Sequence, residues 1–247
     1  MIKLARPNAP PELTQQRSQE LTATYAADHN QRVWNQGYIR NRLLAMSHNK
    51  CAYCESLVDE ESKYMEVDHY RCKDHYPGEV VKWNNLLPAC KRCNVNKSNH
   101  DVVTNGDLID PSVDDPPMHL FLFNYRLYGR DERGTRAIDV LYLNETDRTV
   151  RARFNIGNAI SSALDELQGL LIECTADPTQ PRLRRLARGF VKILQEATPS
   201  SEYSATAATS LLRHPYFGVL KSGLENLNLW NNDLSDLEAI VVRSALA

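Results

Sequence analysis

Residues 51–98 read CAYCESLVDEESKYMEVDHYRCKDHYPGEVVKWNNLLPACKRCNVNKS, and the rest of the chain is read outward from them. The stretch is rich in Cys, His, Asn and Lys and has only brief apolar runs, as expected of a segment held by a metal. Cys51-Ala-Tyr-Cys54 and Cys90-Lys-Arg-Cys93 are two knuckles, each able to present two thiolates to one ion. Zinc accepts four soft thiolates in a tetrahedron, and a complete thiolate shell leaves no position for water or substrate. The expected Zn2+ at Cys51, Cys54, Cys90 and Cys93 is therefore structural. The alternatives are a thioredoxin-like redox pair, which wants a strand-to-helix turn in a βαβ setting, or two coincidental pairs of buried thiols. Cys72 and Cys174 have no partner at ligand spacing and read as small buried residues.

Between the knuckles, Tyr64-Met-Glu-Val-Asp68-His69 is a half-apolar strand ending in an acid and an imidazole. Strand neighbours face opposite sides, so Asp68 and His69 can serve one site only where the strand stops. Tyr70–Val80, with Pro77-Gly78, reads as a loop; Leu86–Ala89 reads as a second strand and Lys91–Ser98 as a short helix. His100 lies six residues past Asn94, about 240° around an ideal helix, whereas Ser98, at four, shares the Asn94 face. Taken singly, an Asp-His pair is an ordinary surface pair and Asn85 an ordinary turn residue.

Strand, loop, strand and helix in this order, with Cys51-x-x-Cys54, Val67-Asp68-His69, Asn84-Asn85-Leu86 and Cys90-x-x-Cys93-Asn94-x-x-Lys97, resemble the zinc-containing HNH endonucleases. That resemblance implies a ββα-metal core in which His69 is the general base and Asp68 and Asn94 bind one catalytic Mg2+ or Mn2+. It also implies that Asn85 holds the loop that aims His69, and that Lys73 and Lys97 contact phosphate. The family commonly has proline three residues after the base, where this chain has Cys72. The final histidine of the family name is Asn94 here.

The remaining chain carries a narrower resemblance. Met1-Ile-Lys-Leu-Ala-Arg6, Leu108-Ile-Asp-Pro111 with Asp114-Asp-Pro116, and Thr135-x-Ala-Ile-Asp-Val-Leu-x-Leu-Asn144 resemble the PtuB family, the HNH component of Septu antiphage systems and of certain retrons. This implies partnership with PtuA, an ABC/SMC-like ATPase, a DNA or RNA substrate such as phage DNA or host tRNA, and in some systems a retron reverse transcriptase with its reverse-transcribed DNA. No Walker A motif occurs in the chain, so nucleotide hydrolysis would belong to the partner.

Composition agrees with an ordinary globular protein, at 42% hydrophobic and 24% charged residues over 247 positions. The formal net charge of −2 makes the whole chain no polyanion binder, although Lys and Arg outnumber Asp and Glu from Lys63 to Lys97. A second basic run, Pro181–Arg188, fits either nucleic-acid contact or a solvated helix face. No signal-like or membrane-length apolar run is present, which suggests a cytoplasmic protein with no membrane partner.

The fold expected is α+β and mostly α. Residues 1–47 read as a helical segment packing on the core, 48–117 as the HNH core, and 118–247 as a short β segment with a partner-binding helical region. The pattern predicts helices from Pro11 to Met46 with a break near Asn30, a hairpin over His119–Tyr128, a helix from Thr135, and an amphipathic helix through Ile156–Leu171. Further helices are expected at 182–196, 203–213 and 234–246, with His214-Pro215 as a break. Two other functions fit parts of this pattern: a zinc-dependent nucleic-acid binder that does not cut, and a stand-alone restriction-type HNH nuclease. The first has no need of a base beside two oxygen ligands, and the second would normally carry its own sequence-reading domain.

Overall fold

The computed structural model describes residues 1–60 and 63–247. Helix α1 (Gln15–Ala27) begins at Thr14, whose hydroxyl accepts from the Arg17 amide, and buries Leu21 and Tyr25. The break expected near Asn30 extends to Gln36, after which α2 (Gly37–Ser47) buries Ile39, Leu43 and Met46. Full burial of such aliphatic side chains stabilises by about 1.5–3 kcal/mol each.

Strands β1 (Asp59–Glu60), β2 (Lys63–His69) and β3 (Leu86–Cys90) form an antiparallel sheet in the order β1-β2-β3. The β2–β3 register runs from Met65 opposite Cys90 to His69 opposite Leu86, so β2 ends at His69 as its sequence suggested. Helix α3 (Lys91–Lys97) follows β3 without a linker and packs back on β2 and β3, while α2 packs against the same two strands. The expected loop after His69 contains short 3-10 turns at Pro77–Glu79 and Trp83–Asn85.

Beyond the one-turn helix α4 (Pro116–His119), the expected hairpin consists of β4 (Leu120–Phe123) and β5 (Arg126–Gly129). The helix expected from Thr135 starts three residues earlier, as α5 (Glu132–Val140), because the Asp131 carboxylate accepts from the Gly134 amide at 2.7 Å and caps it.

Apart from the first two residues, one structural unit holds Lys3–Leu120 and Leu127–Asn144, and the other Phe121–Arg126 and Glu145–Ala247. The second unit is helical: α6 (Arg151–Ala176), α7 (Gln180–Glu196), α8 (Ser204–Arg213), α9 (Pro215–Asn226) and α10 (Asn232–Ser244). Its core is centred on α6, where Ile160, Leu164, Leu167 and Leu171 meet Leu186, Phe190, Leu211 and Leu220. Helix α9 was not expected. Pro215 was read as a breaker, but it occupies the first helical turn, where its missing N–H and fixed φ suit a helix start, and the His214 ring accepts from the Tyr216 amide. No described helix is long and apolar enough to cross a membrane.

A methyl group added at Gly134 would lie 2.0 Å from the His119 carbonyl oxygen, a backbone atom that cannot swing aside. Gly134→Ala is therefore expected to destabilise the first unit by about 1–3 kcal/mol, read as a lower urea midpoint. An unchanged midpoint would contradict this close approach.

Candidate functional site

The four knuckle sulfurs lie within 4.8 Å of one another, and Cys54 Sγ is 3.7 Å from Cys90 Sγ. Four sulfurs bound tetrahedrally at 2.3 Å from zinc stand about 3.8 Å apart, so the cluster has the dimensions of a tetrathiolate site. Its surroundings favour thiolate charge: the Cys93 amide donates to Cys90 Sγ at 3.4 Å, and Arg92 reaches Cys93 Sγ at 3.5 Å. Burial pushes the Cys51 thiol well up, which would oppose thiolate formation there without a cation to offset it. Cys72 and Cys174 are both buried and free. Cys72, standing where the HNH pattern has proline, closes the loop through its carbonyl, which accepts from the His75 and Tyr76 amides.

Asp68, His69 and Asn94 line one cleft of about 810 Å³, together with Glu66, Lys73 and Trp34. Asp68 is 3% exposed. Its Oδ2 accepts from the Tyr53 hydroxyl at 2.6 Å, and its Oδ1 from the Lys97 ammonium at 3.1 Å. Burial, reinforced by the facing Asp68 carboxylate, pushes the Tyr53 phenol well above its usual value and keeps it a donor.

His69 is fixed from two sides. Its Nε2 lies 2.8 Å from the Val80 carbonyl, and Trp34 meets its ring edge-on at 4.9 Å between centroids. A carbonyl only accepts, so Nε2 must carry the proton and Nδ1 is the bare nitrogen of the neutral ring. Burial lowers the ring's pKa to about 4, although the Val80 carbonyl and Asp68 pull the other way. The imidazole is therefore neutral across the physiological range.

Asn85 binds the backbone after His69. Its Oδ1 accepts from the Arg71 amide at 2.7 Å, its Nδ2 donates to the Arg71 and Glu79 carbonyls, and its own carbonyl accepts from the Tyr70 amide at 2.8 Å. Asn94 donates from Nδ2 to Glu66 Oε2 at 2.6 Å. Lys73 borders the cleft, bonded to Asp74 at 2.9 Å and placed 5.6 Å from the Trp34 ring centroid.

Lys97, expected at a phosphate, is 1% exposed, and its ammonium is held by Asp68 and by the His69 carbonyl at 2.6 Å. Its site on α3 faces the end of β2, which turns the side chain inward.

The sequence reading missed Tyr53, Glu66 and Trp34. Glu66 was within reach of it, since strand alternation puts residues 66 and 68 on one face. Tyr53 was hidden inside a Cys-x-x-Cys spacing, and Trp34 arrives from a distant loop with no local signal.

The family model for HNH endonuclease matches residues 51–100. The chain is 41% identical over 248 residues to Septu protein PtuB of Bacillus thuringiensis, covering 100% of this chain and 95% of that protein. It is 33% identical over 111 residues to Septu protein PtuB of Bacillus mycoides (strain KBAB4), covering 33% of this chain and 37% of that one. No solved structure gives a significant match.

Cys90→Ser is expected to release zinc and unfold the 51–98 region, because the metal's binding energy is also folding energy. Metal content and circular dichroism check this, and a well-folded, zinc-free variant would count against the staple. A second expectation concerns pH. The unfolded His69 ring takes a proton below about 6.5, whereas the folded ring resists until about 4. Stability is thus present at neutral pH and lost as pH falls through that window, by about 2 kcal/mol between pH 8 and 5. Urea unfolding of wild type and His69→Asn, without added Mg2+, should show this extra loss in wild type alone; parallel pH profiles would contradict it.

Proposed function

The chain belongs to the Septu PtuB family and is an HNH endonuclease, and from that premise we propose that it hydrolyses nucleic-acid phosphodiester bonds as the effector of an antiphage system. The observation that carries the mechanism is the placement of the His69 ring, whose Nε2 is tied to Val80 while the ring borders the same cleft as Asp68 and Asn94.

In this reading His69 Nδ1 takes the proton from the attacking water, a task suited to an imidazole that is uncharged at neutral pH. Asp68 and Asn94 Oδ1 are the oxygen ligands for one hard divalent ion, Mg2+ or Mn2+. When bound, that ion supplies positive charge against the phosphorane and the leaving 3′ oxygen. The donor set fits such an ion. Asp68 keeps lone pairs beyond its bonds to Tyr53 and Lys97, and Asn94 engages Glu66 through nitrogen rather than oxygen. Asn85 ties down residues 70–71 and so fixes the direction of His69. Lys73, at the cleft wall, meets substrate phosphate. Lys97 serves the site from within by balancing the Asp68 charge.

The substrate is phage DNA or a host RNA such as tRNA, since water as nucleophile needs no ribose 2′-OH. The ATPase partner is PtuA, an ABC/SMC-like protein, which accords with the lack of a Walker A motif and with the weak net charge of this chain.

His69→Ala, assayed with Mg2+ and the ATPase partner, is expected to lose cleavage by about 10²–10⁴-fold, the usual contribution of a general base, with zinc content unchanged. Full activity in that variant would end the assignment.

A further inference from the structure

Glu66 has no part in the reaction described above. It is half-buried on β2, on the same strand face as Asp68, and it borders the cleft that Asp68 and Asn94 share. Its Oε2 stands 2.6 Å from Asn94 Nδ2, a short charge-assisted hydrogen bond.

The direction of that bond matters. An asparagine amide has two ends of nearly the same shape, one a donor and one an acceptor, and only the oxygen can ligate a hard cation. A carboxylate accepts and cannot donate, so the NH2 end must face Glu66 and Oδ1 must face away from it. The reversed amide would set oxygen against oxygen and lose the bond.

We propose that Glu66 is a positioning residue that fixes the Asn94 side chain with its amide oxygen turned toward the divalent cation. This rests on the reading of Asn94 as a cation ligand. Asn94 stands on the seven-residue helix α3, whereas Glu66 lies in mid-strand on β2, paired with Ala89 of β3. The rigid element thus aims the ligand carried by the shorter one. Second-layer partners of this kind are worth on the order of ten- to a hundredfold in metal affinity.

The test measures Mn2+ affinity by electron paramagnetic resonance without nucleic acid, with zinc content and circular dichroism as checks on folding. Glu66→Ala is expected to weaken Mn2+ binding by about tenfold. Glu66→Gln should stay within about threefold of wild type, because its amide oxygen can accept the same bond. In an Asn94→Asp background both ends of residue 94 are oxygen, so Glu66→Ala should no longer weaken binding. A tenfold loss that persists there, or a Glu66→Gln variant as weak as Glu66→Ala, overturns the proposal, since the carboxylate charge itself would then be what matters. Wild-type affinity in Glu66→Ala, with weak binding in Asn94→Ala, sinks the role of Glu66 and leaves Asn94 as ligand. Wild-type affinity in Asn94→Ala sinks that ligand reading and the proposal with it.

Discussion

Four sulfur atoms gathered within 4.8 Å hold together the two ends of the segment on which the chemistry depends. The thiolates would repel one another in a buried cluster, and a dication at their centre reverses the sign of that interaction. The consequence reaches past the knuckles. Tyr53 sits inside the first knuckle and donates to Asp68, while the second knuckle begins α3, which carries Asn94 and Lys97. The staple therefore sets the distance between the two walls of the cleft without entering it.

Asp68 is the second constraint. A carboxylate 3% exposed pays a large desolvation penalty unless its charge is matched, and here an equally buried ammonium and a phenol both face it. Removing one member of such a pair leaves the other as an isolated buried charge, a change of about 3–5 kcal/mol. Lys97 therefore has a structural reason to be a cation that is independent of phosphate. His69 meets the opposite demand: burial favours the uncharged ring, and the bond between its Nε2 and the Val80 carbonyl selects the tautomer.

What the sequence disclosed and what it hid divide along the range of the interactions. The knuckles, the β2 strand ending at His69, and the succession of β3 and α3 are local, set by spacing and alternation within 48 residues, and they were legible. Lys97 was misjudged because a lysine in a polar helix normally faces water, and only the packing of α3 on β2 turns it inward. Trp34 reaches His69 from a loop far away in sequence, a contact that no periodicity announces. Pro215 failed as a boundary for a different reason: proline breaks a helix interior but starts a helix well, and the residue alone does not say which. The helical unit was legible in its elements yet silent on function, because apolar periodicity reports a core and nothing more.

Helix α3 concentrates these dependencies in seven residues. So short a helix is not stable alone in water, since its nucleation cost outweighs the few backbone bonds it closes. Cys90 caps its first turn and Cys93 points into the sulfur cluster, so that cluster organises the turn from which Asn94 projects. One turn later Lys97 anchors the far end to Asp68 and to the His69 carbonyl. A member of the sulfur cluster, a cleft-lining amide and the counter-ion of the buried Asp68 carboxylate thus lie at positions 93, 94 and 97 of one element. The element is ordered by the groups it positions, which couples order in the cleft to integrity of the staple more tightly than proximity alone would.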